Sequence, residues 1–336
     1  MIQPQARTVG FKRGERNVFF HILTACNLSC SHCYINPEEH GTEMVTRENL
    51  EKWLALFCDD EKETNIIFLG GEPTMHSDLP HAIRFAKKLG YSSVTVDTNG
   101  FLFHDFLAQA KPTDLDFLSF SLDGPNPEVN DPLRGNGVFD ICSKNLQAAV
   151  AAGFNVSLIY TVSRYNIKYL SDMAPLLAKW GVKRFFIQVI GIRGKTAISG
   201  ADKWQLTPEE WLAEIPRAAA EAAAHGITVI YPKVFLEPNE KFECGGRVAE
   251  NYFIFPNGRV YQCPLCEDYP VHGYRIDENL LIPNTGFTET KLFSLDIPEG
   301  CVINKLLQPE NLRYDSGGNP LYKISCCLLK QEIKGS

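Results

Sequence analysis

The segment NVFFHILTACNLSCSHCY spans residues 17–34 and reads in two halves. Residues 17–24 are dense in Val, Phe, Ile and Leu, a short apolar run of strand length. Behind it come Cys26, Cys30 and Cys33, four and three positions apart, with Tyr34 directly after. A loop of this length can point three sulfurs at one small object. Three thiolates are one short of a closed tetrahedral zinc site, whose ligands come as two separated pairs. They are also one short of the four that ligate an electron-transfer iron–sulfur cluster. A [4Fe–4S] cube held by three cysteines keeps one iron with open positions for a ligand. The competing reading is a zinc loop completed by His32 or His21.

Outward from this segment, five more apolar runs follow: NIIFLG (65–70), SVTVDT (93–98), DFLSFSL (116–122), NVSLIYTV (155–162) and KRFFIQVI (183–190). Helical patterns at 46–60, 78–90, 138–153 and 167–181 lie between them, several ending on Gly. The runs are apolar nearly throughout, as expected of parallel strands covered on both faces. Six β-then-α units with right-handed crossovers build either a doubly wound open sheet or an incomplete (β/α) barrel. In both α/β folds the chemistry belongs at the C-terminal ends of the strands. A helix pattern at 207–226 and the strand ITVIYP (227–232) close this part. Before them, GIRGKTAISGADKWQ (191–205) reads as a long polar loop, a candidate lid or substrate-contacting segment.

Beyond residue 232 the character changes: Pro, Gly and Cys become dense and helical periodicity fades. A hairpin over 251–263 turns on Asn257-Gly258. So weak an apolar pattern makes a poor core, and clustered cysteines suggest that a metal helps to hold it. We expect three parts: an N-terminal extension (1–16), an α/β part (17–232) and a small Cys-rich α+β part (233–336). With 22% charged residues, 25 Gly and 20 Pro in 336 residues, collagen-like and wholly disordered chains are excluded. No stretch approaches the roughly 20 apolar residues of a membrane helix, and the N-terminus has no apolar signal core. The expectation is a cytoplasmic protein with no membrane partner. Its net charge of −7 argues against nucleic acid as a partner. Eleven Cys in a reducing compartment do not form a disulfide framework. Cys58 and Cys142 stand alone in helical patterns and read as core packing.

The C-x3-C-x2-C loop behind a first strand, with an aromatic beside its last Cys, resembles the radical S-adenosylmethionine (radical SAM) enzymes. In that family the amino and carboxylate groups of S-adenosylmethionine chelate the open iron. One electron from the cluster breaks a sulfonium C–S bond, leaving a 5′-deoxyadenosyl radical that abstracts hydrogen from a substrate. The likeness continues at later strand ends. Gly70-Gly71-Glu72-Pro73 is similar to the family's GGE motif, which implies that this backbone and Glu72 meet the methionyl amino group. Glycines permit the close approach, and a carboxylate accepts from an ammonium. Asp97-Thr98-Asn99-Gly100 resembles a TNG segment and Ser121-Leu122-Asp123-Gly124 an S-x-D-G segment. These imply that Asn99, Ser121 and Asp123 lie near the cosubstrate's ribose or carboxylate. Thr161, Tyr34 and Arg164 join that set, Arg164 as a guanidinium fork for the methionyl carboxylate. The plainer alternatives are turn formation by Asn-Gly and Asp-Gly-Pro, capping by Glu72 and a solvated Arg164. The resemblance covers 17 to about 190 and implies a partial (β/α)6 barrel.

Cys244-x13-Gly258-x4-Cys263 resembles the opening of the auxiliary-cluster domains that follow some radical SAM barrels, SPASM in the long form and twitch in the short one. The long form's C-x2-C-x5-C-x3-C block is absent. The resemblance implies one auxiliary [4Fe–4S] cluster held by Cys244, Cys263 and two of Cys266, Cys301, Cys326 and Cys327, with Cys301 and Cys326 foremost. Half a zinc ribbon or a redox C-x-x-C pair at 263–266 are the alternatives. The implied activity is reductive cleavage of S-adenosylmethionine and hydrogen abstraction from a peptide or protein, or else from a tetrapyrrole, pyranopterin precursor or small alcohol. Flavodoxin or ferredoxin is the implied reductant. A non-catalytic iron–sulfur scaffold would explain the cysteines but not Gly70-Gly71-Glu72. Sixteen residues precede the first strand, so a leader-binding domain is expected to be a separate protein.

Overall fold

A computed structural model of the chain describes residues 6–59, 61–200 and 203–335. Parts of the N-terminal extension (1–5), the first helical pattern (60), the polar loop (201–202) and the C-terminus (336) lie outside the described residues. Seven strands run parallel in sequence order: β2 (Glu15–His21), β3 (Glu63–Leu69), β4 (Ser93–Thr98), β5 (Phe117–Ser121), β6 (Val156–Val162), β7 (Arg184–Val189) and β8 (Thr228–Pro232). Each of the six apolar runs read from the sequence is one of these strands, and ITVIYP is the seventh.

The helices between them form because apolar residues recur at helical spacing and the ends are capped. Thr46 accepts from Asn49 N at the start of Arg47–Phe57, and Gly90, at φ +93°, ends Leu79–Leu89 in the left-handed conformation. Thr207 and Glu210 cap Pro208–Ala224 reciprocally. With Val138–Ala151 and Met173–Trp180 these helices bury one face of the sheet in the main core. Cys142 lies in that core; Cys58 caps Arg47–Phe57 and packs against its edge.

The strands are not covered equally on both faces. In β3, Thr64, Ile66 and Phe68 are buried under helices, while Asn65, Ile67 and Leu69 retain exposure, and β4 alternates likewise. The half-exposed face lines the concave lumen of a partial barrel. Apolar residues on both faces hid this alternation from the sequence pattern.

The C-terminal part extends the same sheet at both edges. β10 (Glu250–Ile254) lies parallel to β2, with Glu250 opposite Arg16 and Ile254 opposite Phe20. β11 (Arg259–Tyr261), β12 (Tyr274–Asp277) and β13 (Leu280–Pro283) continue antiparallel from it. At the far edge β15 (Lys330–Ile333) pairs antiparallel with β8, and β1 (Arg7–Val9) pairs with β15. A two-stranded ladder of β9 (Phe235–Leu236) and β14 (Lys323–Ile324) stands apart. A second, smaller apolar cluster, which includes Phe253, Phe255, Tyr261, Phe293 and Ile303 with Cys266 and Cys301, holds this part together.

Candidate functional site

The Cys26–Cys33 loop leaves the end of β2 and is braced by the end of β3. Gly71 N donates to Leu23 O and Glu72 N to Ala25 O, both at 3.0 Å. The approach is so close that a Cβ on Gly71 would stand 2.2 Å from Ala25 O, and one on Gly70 2.7 Å from Leu23 O. Both glycines are therefore needed to seat the root of the cysteine loop. Pro73 begins a short 3-10 turn, Pro73–Met75, that Glu72 caps.

Glu72 is buried, and four donors meet its carboxylate. Oε1 accepts from Thr74 N (3.0 Å), Thr74 Oγ1 (2.6 Å) and Thr98 Oγ1 (2.7 Å); Oε2 accepts from Asn99 N (2.7 Å). Burial pushes its pKa above the ordinary carboxyl value, against these hydrogen bonds. Asn99 is in turn placed over the loop: its Nδ2 donates to Asn27 Oδ1 (2.8 Å) and lies 3.6 Å from Cys26 Sγ. Glu72 and Asn99 thus tie two strand ends to the first cysteine.

Asp123 sits on the other side of the loop, with no exposed surface. Its Oδ1 accepts from Thr161 N (2.8 Å). Its Oδ2 lies 2.6 Å from Arg134 Nε and 3.1 Å from His32 Nε2, ion-pair separations whose N–H directions miss a linear hydrogen bond. Burial alone would raise this carboxyl, but Arg134 and His32 hold it well below its usual range. The partners reach back to the cysteines: His32 stands between Cys30 and Cys33, Arg134 O faces Cys30 Sγ (3.7 Å) and Leu133 O accepts from Ser31 N (2.9 Å). The sequence reading offers His32 only as a fourth zinc ligand and does not single out Arg134; their pairing with Asp123 is found only once the chain is folded.

Of the remaining predicted residues, Ser121 ends β5, and its hydroxyl makes no hydrogen bond among the described residues. Thr161 is joined to Asp123 through its backbone N–H. Arg164 is not brought to the group: its Nε donates to Gln205 O (2.6 Å). Tyr34 packs edge-on against His21, with its hydroxyl 2.6 Å from His21 Nε2. Because His21 Nδ1 faces the Ile254 carbonyl, and burial lowers the ring's basicity, neutral His21 donates there and accepts from Tyr34. Asp97, on the lumen face of β4, has no role assigned by its motif. Burial raises its carboxyl to about 7.

The donor set fits a three-thiolate cluster better than zinc. His21 is engaged at both ring nitrogens, with Tyr34 and Ile254, while His32 faces Asp123 through Nε2 and leaves Nδ1 without a hydrogen-bond partner among the described residues. A zinc ion at about 2.3 Å would also gather its sulfurs to within roughly 4 Å of one another. The three sulfurs of this loop are not all within 4.8 Å of one another. Burial raises the Cys30 thiol, so a bound cation is what would keep it ionised.

Five cysteines, Cys244, Cys263, Cys301, Cys326 and Cys327, line one small cavity with Phe242, Phe293 and Ile303. Gly245 N points at Cys326 Sγ (3.3 Å) and Asn304 N at Cys301 Sγ (3.4 Å), donors that suit thiolate sulfur. Cys266 is buried beside this cavity. Its sulfur, that of Cys263 and a carboxylate oxygen of Glu289 lie within 4.8 Å of one another. Glu289, which the sequence reading does not single out, accepts from Gln262 N (2.6 Å), Cys263 N (3.0 Å) and Gly273 N (3.3 Å).

Comparison with known proteins agrees with this geometry. The radical SAM superfamily model matches residues 21–177. An AdoMet-dependent heme synthase from Oleidesulfovibrio alaskensis is 29% identical over 199 residues, 58% of this chain and 50% of that protein. The mycofactocin maturase MftC of Mycolicibacterium smegmatis is 30% identical over 303 residues, 83% of this chain and 72% of that protein. Streptococcus suis SuiB, in the crystal structure with its precursor peptide SuiA, shares the fold at a TM-score of 0.60 and 14% identity, covering 88% of this chain and 65% of that one. The chain thus spans about half the length of the heme synthase. No helix among the described residues is long and apolar enough to cross a membrane. Because the matched span opens at the end of β2 and takes in the cysteine loop, the glycine brace and the Asp123 group, and the maturase aligns far beyond it, the protein belongs to the radical SAM superfamily, enzymes that use a [4Fe–4S] cluster and S-adenosylmethionine for radical chemistry.

Proposed function

We propose that this protein is a cytoplasmic peptide or protein maturase that receives its electron from a flavodoxin or ferredoxin. The observation that carries this reading is the extent of the match to MftC, which covers 83% of the chain where that to the heme synthase covers 58%. The precursor peptide named with SuiB supports it. A second reading, oxidation of a tetrapyrrole, rests on the similarity to the heme synthase.

Cys26, Cys30 and Cys33 would hold the first cluster, which supplies the reducing electron when bound. Gly70 and Gly71 keep the loop's root against β3, and Glu72 and Asn99 hold its first cysteine. Ser121 offers the cosubstrate a hydroxyl that has no hydrogen-bond partner among the described residues. Cys244, Cys263, Cys301 and Cys326 would hold one auxiliary cluster, with Cys327 a fifth thiol at the same cavity. β2 leads into the first cysteine loop, and its neighbour β10 leads through β11 to Cys263.

Anaerobic protein given dithionite and S-adenosylmethionine should release 5′-deoxyadenosine, and Cys30→Ala should not. Peptides encoded beside its gene, followed by mass spectrometry, should then change mass only with the wild type. Release of 5′-deoxyadenosine with an altered tetrapyrrole and unaltered peptides would replace the maturase by the second reading.

A further inference from the structure

Three consecutive residues of the polar segment after β7 link the first cysteine loop to the turn at 264–268, which follows Cys263. Lys195 N donates to Cys33 O (3.0 Å), and its Nζ reaches Cys30 O (3.1 Å) and Ser29 Oγ (2.8 Å). Gly194 lies so near the same turn that a Cβ would fall 2.6 Å from Cys33 O, while its N–H donates to Asp268 (2.7 Å). Arg193 donates from Nη1 to Pro264 O (2.6 Å), forms an ion pair with Glu267 and lays its guanidinium over the Tyr34 ring, 4.4 Å from the centroid. Glu267 is buried and the Arg193 side chain is 22% exposed. The backbone carbonyls held at the two ends are thus that of Cys33 itself and that of Pro264, the residue after Cys263.

We propose that Arg193 is a positioning residue that fixes the distance between the two metal-binding groups. A planar guanidinium suits the task. It meets a carbonyl and a carboxylate at its edge while its face stacks on an aromatic ring, which a lysine ammonium cannot do together. The segment read as a candidate lid or substrate-contacting loop is, over these residues, a strap. The inference rests on the reading that both groups hold clusters, and the iron content of the wild type tests that reading separately.

The test is electron paramagnetic resonance of the dithionite-reduced, fully loaded protein. Magnetic coupling between two reduced clusters falls with the inverse cube of their separation and reports it directly. Arg193→Gln should keep the wild-type iron content and lose part of the coupling, and Arg193→Lys should restore only some of it. Arg217→Gln, on the exposed face of Pro208–Ala224, should match the wild type. Unchanged coupling in both Arg193 variants would overturn the proposal. If Arg193→Gln loses iron, Arg193→Lys decides: altered coupling at full iron supports the strap, and wild-type coupling refutes it. Wild-type iron sufficient for one cluster would instead overturn the auxiliary-cluster reading. Hydrogen exchange would then judge Arg193, with faster exchange of both 29–34 and 264–268 in Arg193→Gln supporting it and unchanged exchange refuting it.

Discussion

Replacing Asp123 by Asn separates two roles for this residue. Asn keeps the shape and the oxygen that accepts from Thr161 N, but removes the charge that faces Arg134 and His32. Arg134, whose side chain is 8% exposed, then stays buried without a counter-charge. Breaking a buried pair from one side costs about 3–5 kcal/mol. With an unfolding entropy of about 2.1 cal/mol/K per residue, that lowers Tm by about 4–7 °C if the chain unfolds as one unit. The loss should be accompanied by faster iron release, because the same group holds the Cys30 sulfur and the Ser31 backbone in place. Asp123→Asn/Arg134→Met, which leaves no unpaired charge, should regain much of the stability. Since the Asp123 carboxyl is held below its usual range, its contribution is present above about pH 4 and fades as the pH falls below that. The assay is anaerobic thermal unfolding at pH 7 with iron analysis and equilibrium dialysis of S-adenosylmethionine. A variant that melts with the wild type but binds the cosubstrate far more weakly would refute the scaffold argument and return Asp123 to the ribose.

Three further outcomes follow from other parts of the molecule. Gly71→Ala must push its Cβ away from Ala25 O, at a cost of about 1–3 kcal/mol or more, and should empty the first iron site; wild-type iron content would contradict this. Asp97, raised to about 7, is stabler protonated in the fold than in the open chain, so the wild type loses stability as the pH climbs from about 4 to 7. Asp97→Asn should therefore match it near pH 4 and exceed it by at most about 4 kcal/mol above pH 7, as read by urea unfolding. If Cys301 and Cys326 complete the auxiliary site, Cys301→Ser should lose that cluster's iron and Cys266→Ser should keep it; the reverse in an iron count would move the ligand set toward Cys263, Cys266 and Glu289.

The strands and the first cysteine loop were legible because their signals are local. Apolar runs of strand length, Gly-terminated helices and a four-and-three cysteine spacing all lie within a few residues of one another. The partners of Asp123 were not, since His32 and Arg134 come from distant points of the chain and meet only after β2 and β5 pair through their neighbours. The strap was invisible for a related reason: Arg193, Gly194 and Lys195 look like any polar loop until the turns they touch are in place. Glu72 illustrates a third case. Its motif was conspicuous, yet the donors around its carboxylate, Thr74, Thr98 and Asn99, depend on how β3 and β4 end side by side.

The pairing of β10 with β2 makes the two cysteine groups energetically interdependent. β2 ends at His21, shortly before the loop that carries Cys26, and β10 turns through β11 directly into Cys263. Phe19 stacks on Phe253 across the pair at 4.4 Å, and His21 and His40 sandwich Phe255 at 4.1 and 3.9 Å. Burial keeps both imidazole rings neutral, so the stack carries no charge to repel a neighbouring cation. A contact of this kind contributes about 0.5–1.5 kcal/mol beyond the area it buries. Any metal that stabilises the β11–Cys263 turn therefore also stabilises the strand that carries the first loop, because a ligand that binds only the folded arrangement shifts the equilibrium of every element folding with it. In that sense the C-terminal part is a second wall of the site rather than an appendage to the barrel.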